Sequence, residues 1–344
     1  MTSVLNALSA NATFIRPSTF YINGFYNIPH TKYYYAFLCI AYAVTVLGNS
    51  FIMCTIYLAR SLHTAKYITV FNLALSDLGG SSALIPKLID TFLFENQVIS
   101  YEACLANMFF VLFFMTVQSL TLLVMAYDRV VAICFPLRYN VIVTKEAMTL
   151  IIVITWIFSI SIIALLVALI TRLSFCRSVI INSYFCDHGP ILILAGNDKF
   201  INRVMAIGCF VVLDCVPFLL IIVSYICIGI ALMNISHGLE RRKAMKTCTS
   251  HLILVALFYL PFIGTNITSL TSSINANDRI LNSTLTQIIP PMLNPIIYTL
   301  KTEEVMQAVK VLYKRAKAVV ICDIPNGQVF QPWVGVDSKK KTFC

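Results

Sequence analysis

Few residues of this chain are equipped for chemistry, and where they fall is informative. Asp128 and Arg129 stand side by side in "MAYDRVVAICFPLRY" (125–139), at the end of a long apolar run. Asp77 interrupts "FNLALSDLGG", and Asp214 is the single charge between Val204 and Leu232. A carboxylate deep in apolar sequence is expensive and normally faces a protein interior or a hydrated cavity. For Asp77 this leaves two overlapping readings: a polar packing contact with Asn49 or Asn294, or an ion site or switch element. Asp214 reads as a group that attracts a cationic or hydrogen-bonding ligand, is buried neutral, or pairs with a neighbouring helix. The proline of Asn294-Pro295 removes a helix hydrogen bond and makes a kink that can bend. An acid–base pair where an apolar helix meets water is either an interfacial anchor or a pair able to exchange partners.

Catalytic chemistry is poorly provided for. No paired aspartates, Ser–His arrangement or metal cluster occurs at matching depth, so an enzyme is not expected, and His251 reads as a local hydrogen-bonding group. Cys186-Asp187-His188 resembles a metal clip, but a disulfide at Cys186 would leave only two weak donors. No metal and no cofactor is expected.

The elements that hold these residues follow from composition. Of the 344 residues 59% are hydrophobic and only 12% charged, with a mean hydropathy of +0.83. A soluble chain carries charge on roughly a quarter of its residues, so the solvent here is lipid. A bilayer core about 30 Å thick takes about 20 apolar residues of helix to cross. Seven such stretches occur: Tyr33–Ala59, Ile68–Phe92, Ala103–Tyr127, Ala147–Thr171, Val204–Leu232, Thr247–Leu270 and Ile280–Leu300. Isolated strands would leave backbone groups unpaired in lipid, and a barrel would show alternating segments of roughly ten residues, which these are not. The expected fold is an all-α membrane protein, a seven-transmembrane helix bundle over residues 33–300. Residues 1–32 precede it, and residues 301–344 form a tail with an amphipathic helix at about 302–317.

With the amino terminus outside, 17 of the 25 lysines and arginines fall on the inner side, as the bias of basic residues towards the cytoplasm requires. The net charge of +10 is then mostly cytoplasmic. Attraction to anionic membrane lipid explains it more economically than nucleic acid does. Asn11-Ala12-Thr13 is a glycosylation sequon on the outside, and Asn282-Ser283-Thr284 is another near the outer edge. Of the twelve cysteines only Cys104, Cys176 and Cys186 face the outside. A bridge from Cys104, at the start of the third span, to Cys186 would pin the long loop over the bundle; three cysteines leave one unpaired. Cys322 beside the amphipathic helix is a candidate for palmitoylation.

Motifs in nearly every span carry a resemblance. They are Gly48-Asn49, "SLHTAKY" (61–67), "LALSDL" (73–78), "IPKL" (85–88), "MAYDRVVAICFPLRY", "SYICI" (224–228), "KAMKTCTSHL" (243–252) and "PMLNPIIY". In this order the chain resembles a rhodopsin-like G-protein-coupled receptor and, within that family, an odorant receptor. "YFCDHGP" and the short outer loops lean to the fish-type branch. Val130 stands where the family has tyrosine, Gly196 where a second loop cysteine is expected, and Pro261 in "FYLPF" is as in non-olfactory members.

The resemblance implies a plasma-membrane receptor in which a small odorant favours one of two helix packings and a heterotrimeric G protein of the stimulatory, olfactory type is engaged inside, raising cyclic AMP. Its switch positions match Asp77, Asp128, Arg129, Tyr225, Asn294, Pro295 and Tyr298. Arg241, Arg242, Lys243 and Lys246 would border the opening or anchor in lipid. Counting inward from the motifs places candidate ligand contacts at Val111, Leu112, Met115 and Thr116 on the third span and at Cys209, Phe210 and Asp214 on the fifth. The sixth contributes Tyr259, Phe262 and Ile263, and the seventh Thr284 and Gln287. The competing readings are a non-olfactory receptor for an amine, lipid or peptide, and a seven-helix transporter or light-driven pump. The last needs chains of intramembrane carboxylates or a retinal lysine, and the seventh span has no central lysine.

Overall fold

The computed structural model describes residues 15–24, 31–94, 96–176, 178–234, 238–270, 276–301 and 303–322. The sequon at Asn11 lies outside the described residues, and so does the side chain of Cys322. Eight long helices dominate: α1 (Thr31–Leu58), α2 (Ala65–Leu93), α3 (Tyr101–Cys134), α4 (Lys145–Ala168), α5 (Phe200–Met233), α6 (Gly238–Leu270), α7 (Ala276–Lys301) and α8 (Glu303–Cys322). Six of the first seven are long and apolar enough over their described residues to cross a membrane. The seventh, α7, carries Pro290, Pro291 and Pro295 inside the helix. Together the seven form the bundle, and α8 follows it as the amphipathic helix.

Most helices outrun the apolar stretch that announces them, because polar residues build their ends. Ser100 caps α3 by accepting a hydrogen bond from the Ala103 N–H at 3.2 Å, and Thr144 caps α4 from Ala147 at 3.1 Å. Glu102 and Glu146 occupy the two first turns, where a carboxylate meets the positive end of the helix dipole.

Apolar side chains point both ways. Ile154, Ile157 and Leu165 on α4, and Leu219, Val223 and Ile226 on α5, are exposed and face the lipid. Inside, one apolar cluster centres on Met108, Val111 and Phe113 and a second on Leu73, Leu122 and Tyr259. Lipid tails are as apolar as leucine, so helices gain by close approach rather than by escaping water. Gly79 allows such an approach: a Cβ there would lie 2.3 Å from the Phe114 ring of α3. Gly48 does the same for α1 and α7, at 3.0 Å from Pro295 Cβ.

The end of the bundle near Cys104 carries a feature that an all-α expectation omits. β1 (Thr19–Ile22), β2 (Val98–Ser100) and β3 (Ile180–Ile181) form a small sheet in the order β2-β1-β3. β1 runs antiparallel to β2, with Phe20 opposite Ile99, and parallel to β3, with Tyr21 opposite Ile180. Phe20 and Ile22 are fully buried beneath it. Part of the segment before the first span is thus the middle strand of a cap over the helices. Cys104 and Cys186 are disulfide-bonded, which fastens the α4–α5 connection to α3 under that cap.

Candidate functional site

Two carbonyls left without donors organise the bundle. A proline has no N–H to give the carbonyl four residues earlier. Pro217 therefore deprives Leu213, and Pro295 deprives Pro291. Residues Val211–Cys215 widen into a π turn, and Ser119 Oγ on α3 donates to the Leu213 carbonyl at 2.7 Å. The same hydroxyl lies 2.8 Å from the Tyr259 hydroxyl of α6, so α3, α5 and α6 meet at one buried point. On the other side Asn49 Nδ2 of α1 donates to the Pro291 carbonyl at 3.0 Å and to the Thr45 carbonyl at 2.9 Å.

Between these points Asp77 is buried with both oxygens engaged. Gln118 Nε2 donates to one at 3.0 Å and Asn294 Nδ2 to the other at 2.7 Å, linking α2, α3 and α7. Of the two packing partners open to Asp77 in the sequence, the structure selects Asn294. Asn49 is spent on α7, and Gln118 takes its place.

At the end away from the sheet, Asp128 is almost wholly buried and its carboxylate lies 3.4 Å from Arg129 Nη1. Tyr139, just beyond α3, donates to the other oxygen at 2.8 Å. Burial and the adjacent Asp128 charge hold the Tyr139 phenol above its ordinary pKa, keeping it a donor. Among the described residues Arg129 Nε is buried without a hydrogen-bond partner. The arginine faces a cavity of about 350 Å³, shared with Met125, His251, Leu254 and Tyr298. Around the rim Lys66 pairs with Glu304 at 3.1 Å, Tyr67 donates to the same carboxylate, and Lys246 pairs with Glu303. Burial alone would raise Glu304, but the bonds from Tyr67 and Lys66 leave it below its ordinary pKa. Tyr225 and His251 are joined at 2.7 Å, and the other His251 nitrogen lies 3.1 Å from the Leu122 carbonyl. The histidine therefore bridges α5, α6 and α3 as a structural group. Tyr298 donates to the Met125 sulfur at 3.5 Å.

Under the sheet a second cavity, of about 310 Å³, is walled by Leu112, Met115, Phe262 and Ile280 and roofed by residues 182–187 of the α4–α5 connection. Thr286 and Gln287 form its α7 side and are shared with a much smaller hollow of about 20 Å³ beside Val111 and Phe258.

The seven-helix bundle thus carries an Arg-bearing cavity at one end and a part-apolar cavity at the other, and comparisons with known proteins show its family. Residues 38–315 match the family model described as "Olfactory receptor". The chain belongs to the olfactory receptor family. It is 35% identical to Olfactory receptor 1E16 of Mus musculus over 84% of this chain and 91% of that protein. It is 38% identical to Olfactory receptor 1J2 of Homo sapiens over 80% of this chain and 88% of that protein. The crystal structure of squid rhodopsin superposes with a TM-score of 0.68 over 88% of this chain and 90% of that one; at 16% identity the likeness is one of fold. An olfactory receptor is a multi-pass plasma-membrane protein that senses odorants and couples to G proteins, not an enzyme.

Of the seven positions the resemblance marks as a switch, Asp77 and Asn294 meet at the centre, Arg129 and Tyr298 line the far cavity, Asp128 and Tyr225 contact its lining residues Arg129 and His251, and Pro295 packs near Gly48 of α1. Val111, Leu112, Met115, Phe262 and Gln287 line the two cavities near the sheet. The other seven counted positions do not. Thr116 and Thr284 spend their hydroxyls on the carbonyls of Leu112 and Ile280, and Tyr259 is held by Ser119. Phe210 packs against Phe262 with ring centroids 6.0 Å apart, Ile263 packs on the Tyr259 cluster, and Cys209 is buried. Asp214 sits in the π turn near Cys209, Cys215 and Tyr259 and lines neither cavity. The π turn adds one residue to that stretch of α5, so a face counted at 3.6 residues per turn shifts its register there. The acid that does line the larger cavity is Asp187, and its signal was its place directly after Cys186.

Proposed function

We propose that this olfactory receptor takes a small odorant into the cavity beneath the sheet and answers by opening the cavity around Arg129 to a stimulatory, olfactory-type G protein, raising cyclic AMP. The sheet end then faces outward and the Arg129 end the cytoplasm, in keeping with the basic residues concentrated there. The observation that carries this reading is the Ser119 hub. One hydroxyl ties the π turn of α5 to Tyr259 of α6, one helical turn below Phe262 in the cavity wall. A ligand that displaces Phe262 bears on that hub, and α6 extends from it to Lys246 at the opposite rim. Separation of Lys246 from Glu303 and of Arg129 from Asp128 would widen the far cavity. The lysines of α8 (Lys310, Lys314 and Lys317) would rest on anionic inner-leaflet lipid, each contributing on the order of 1 kcal/mol.

The test is a cyclic AMP reporter in cells displaying the receptor, challenged with volatile and water-soluble odorants. Wild type should respond to at least one compound, and Arg129→Ala should abolish that response at equal surface density. A response that survives Arg129→Ala would refute this coupling. Epitope tags accessible on the same side of the membrane would refute the threading.

A further inference from the structure

We infer that the odorants of this receptor carry a hydroxyl group, which seats in the hollow of about 20 Å³ that adjoins the ligand cavity on the side away from the sheet. The inference rests on the reading of the larger cavity as the ligand site and assigns the chemistry recognised there. Met115, Thr286 and Gln287 belong to both linings. To these the hollow adds Gln118, about one turn further along α3, and Pro290 and Pro291, about one turn further along α7. It therefore lies directly beyond the cavity, towards Asp77. Its size admits one water-sized group, for which about 10–15 Å³ suffices.

The polar groups around the hollow are short of donors. Ser81, which lines it, is 3% exposed, and its Oγ has no hydrogen-bond partner among the described residues. The Gln118 amide nitrogen serves Asp77 at 3.0 Å, while its oxygen accepts no hydrogen bond among the same residues. Pro290 and Pro291 have no N–H, so the Thr286 and Gln287 carbonyls four residues before them lose their helical donors. A lining rich in acceptors calls for a group that brings a proton, and the Ser81 hydroxyl can donate in return. An alcohol does both at the size of one water. An aldehyde or ether oxygen only accepts, which leaves those oxygens buried and unserved. An ammonium or a carboxylate would lose its hydration to a lining in which no residue ionises. The contact with Gln118 also gives an alcohol a route into the bundle, because that amide donates to Asp77, which in turn holds Asn294 of α7. Above the hollow Leu112 and Ile280 of the larger cavity suit the apolar body of such a ligand.

The experiment uses the full-length receptor, purified into lipid nanodiscs, with thermal unfolding read against matched sets of probes. One set is hexan-1-ol, hexanal and methyl pentyl ether; the other is 2-phenylethanol, phenylacetaldehyde and 2-phenylethyl methyl ether. In at least one set the alcohol should stabilise most. Ser81→Ala removes a hydroxyl that the folded chain leaves unbonded, so the variant should fold, and it should weaken the alcohol by about two- to tenfold, the worth of one neutral hydrogen bond. Aldehyde and ether should bind to it as they do to wild type. If Ser81→Ala does not fold, Gln287→Met carries the test, since losing an amide at the junction of the two cavities should weaken the alcohol more than the ether. Alcohols that never stabilise, or that stabilise no more than their aldehyde or ether in both sets, overturn the proposal. So does an unchanged alcohol affinity in Ser81→Ala, or an equal loss for alcohol and ether in Gln287→Met. A receptor that binds and signals for aldehydes but ignores alcohols would sink this inference and leave the odorant reading standing. A folded receptor whose alcohol binding depends on Ser81 yet never moves cyclic AMP would do the reverse.

Discussion

Gly196→Cys should close a second disulfide. Cys176 is a free, exposed thiol, and a Cβ placed on Gly196 would lie 3.7 Å from Cys176 Cβ and 2.7 Å from its sulfur. Disulfides have Cβ atoms about 3.5–4.5 Å apart, so the new side chain arrives already in bonding position. The backbone N–H of Gly196 also donates to the Ser174 carbonyl at 2.8 Å, which holds the two strands of chain together before any bond forms. Closing a loop of this length restricts the unfolded chain by about 3 kcal/mol, an upper limit here because Cys186 inside that loop is already tethered to Cys104. At roughly 2–4 °C per kcal/mol in a domain of this size class, the gain should be several degrees. The assay combines thermal unfolding with labelling by a membrane-impermeant maleimide. Wild type should label at Cys176, whereas the variant should be protected until reduced. Gly196→Ala is the control: its methyl must push the Cys176 sulfur aside, so it should not stabilise. A variant that labels at two thiols and gains no stability would refute the placement of this loop.

Three further outcomes are expected. Ser119→Ala should cost about 1–3 kcal/mol by leaving the Leu213 carbonyl without its donor, and Ser119→Thr should recover most of it; unchanged thermal stability in the alanine variant would contradict the hub. Tyr139→Phe removes one donor from the buried Asp128 carboxylate and should raise basal cyclic AMP at equal surface density, whereas an unaltered basal level would show that the contact does not restrain the pair. Burial lowers His188 from 6.5 to about 4, and its Nε2 has no hydrogen-bond partner among the described residues. The folded state therefore resists the proton: its stability is complete above pH 6.5, declines as pH falls from there to about 4, and the total loss is about 3 kcal/mol. Thermal unfolding between pH 7.5 and 4.5 should show that decline in wild type and a flatter profile in His188→Gln.

The seven spans, their order and the Asp128–Arg129 pair were legible in the residues alone. Crossing a bilayer is a local demand: each helix must satisfy its own backbone and show lipid an apolar surface, so each declares itself within its own stretch of chain. The carbonyls freed by Pro217 and Pro295 were equally local, since the missing N–H is a property of proline. What serves them was not. Ser119 reaches Leu213 across 94 positions and Asn49 reaches Pro291 across 242, and only the packing of helices brings those donors near. The same holds for Gln118 at Asp77, which carries no signal in its own neighbourhood. β1 is four residues long and owes its strand form to the two loops beside it. Of the acids, Asp214 falls within the π turn and lines neither cavity near the sheet, whereas Asp187, next to the disulfide, lines one of them. Composition determines which segments enter the membrane, because solvation acts residue by residue; which polar groups meet inside it depends on register and crossing, which exist only once the helices touch.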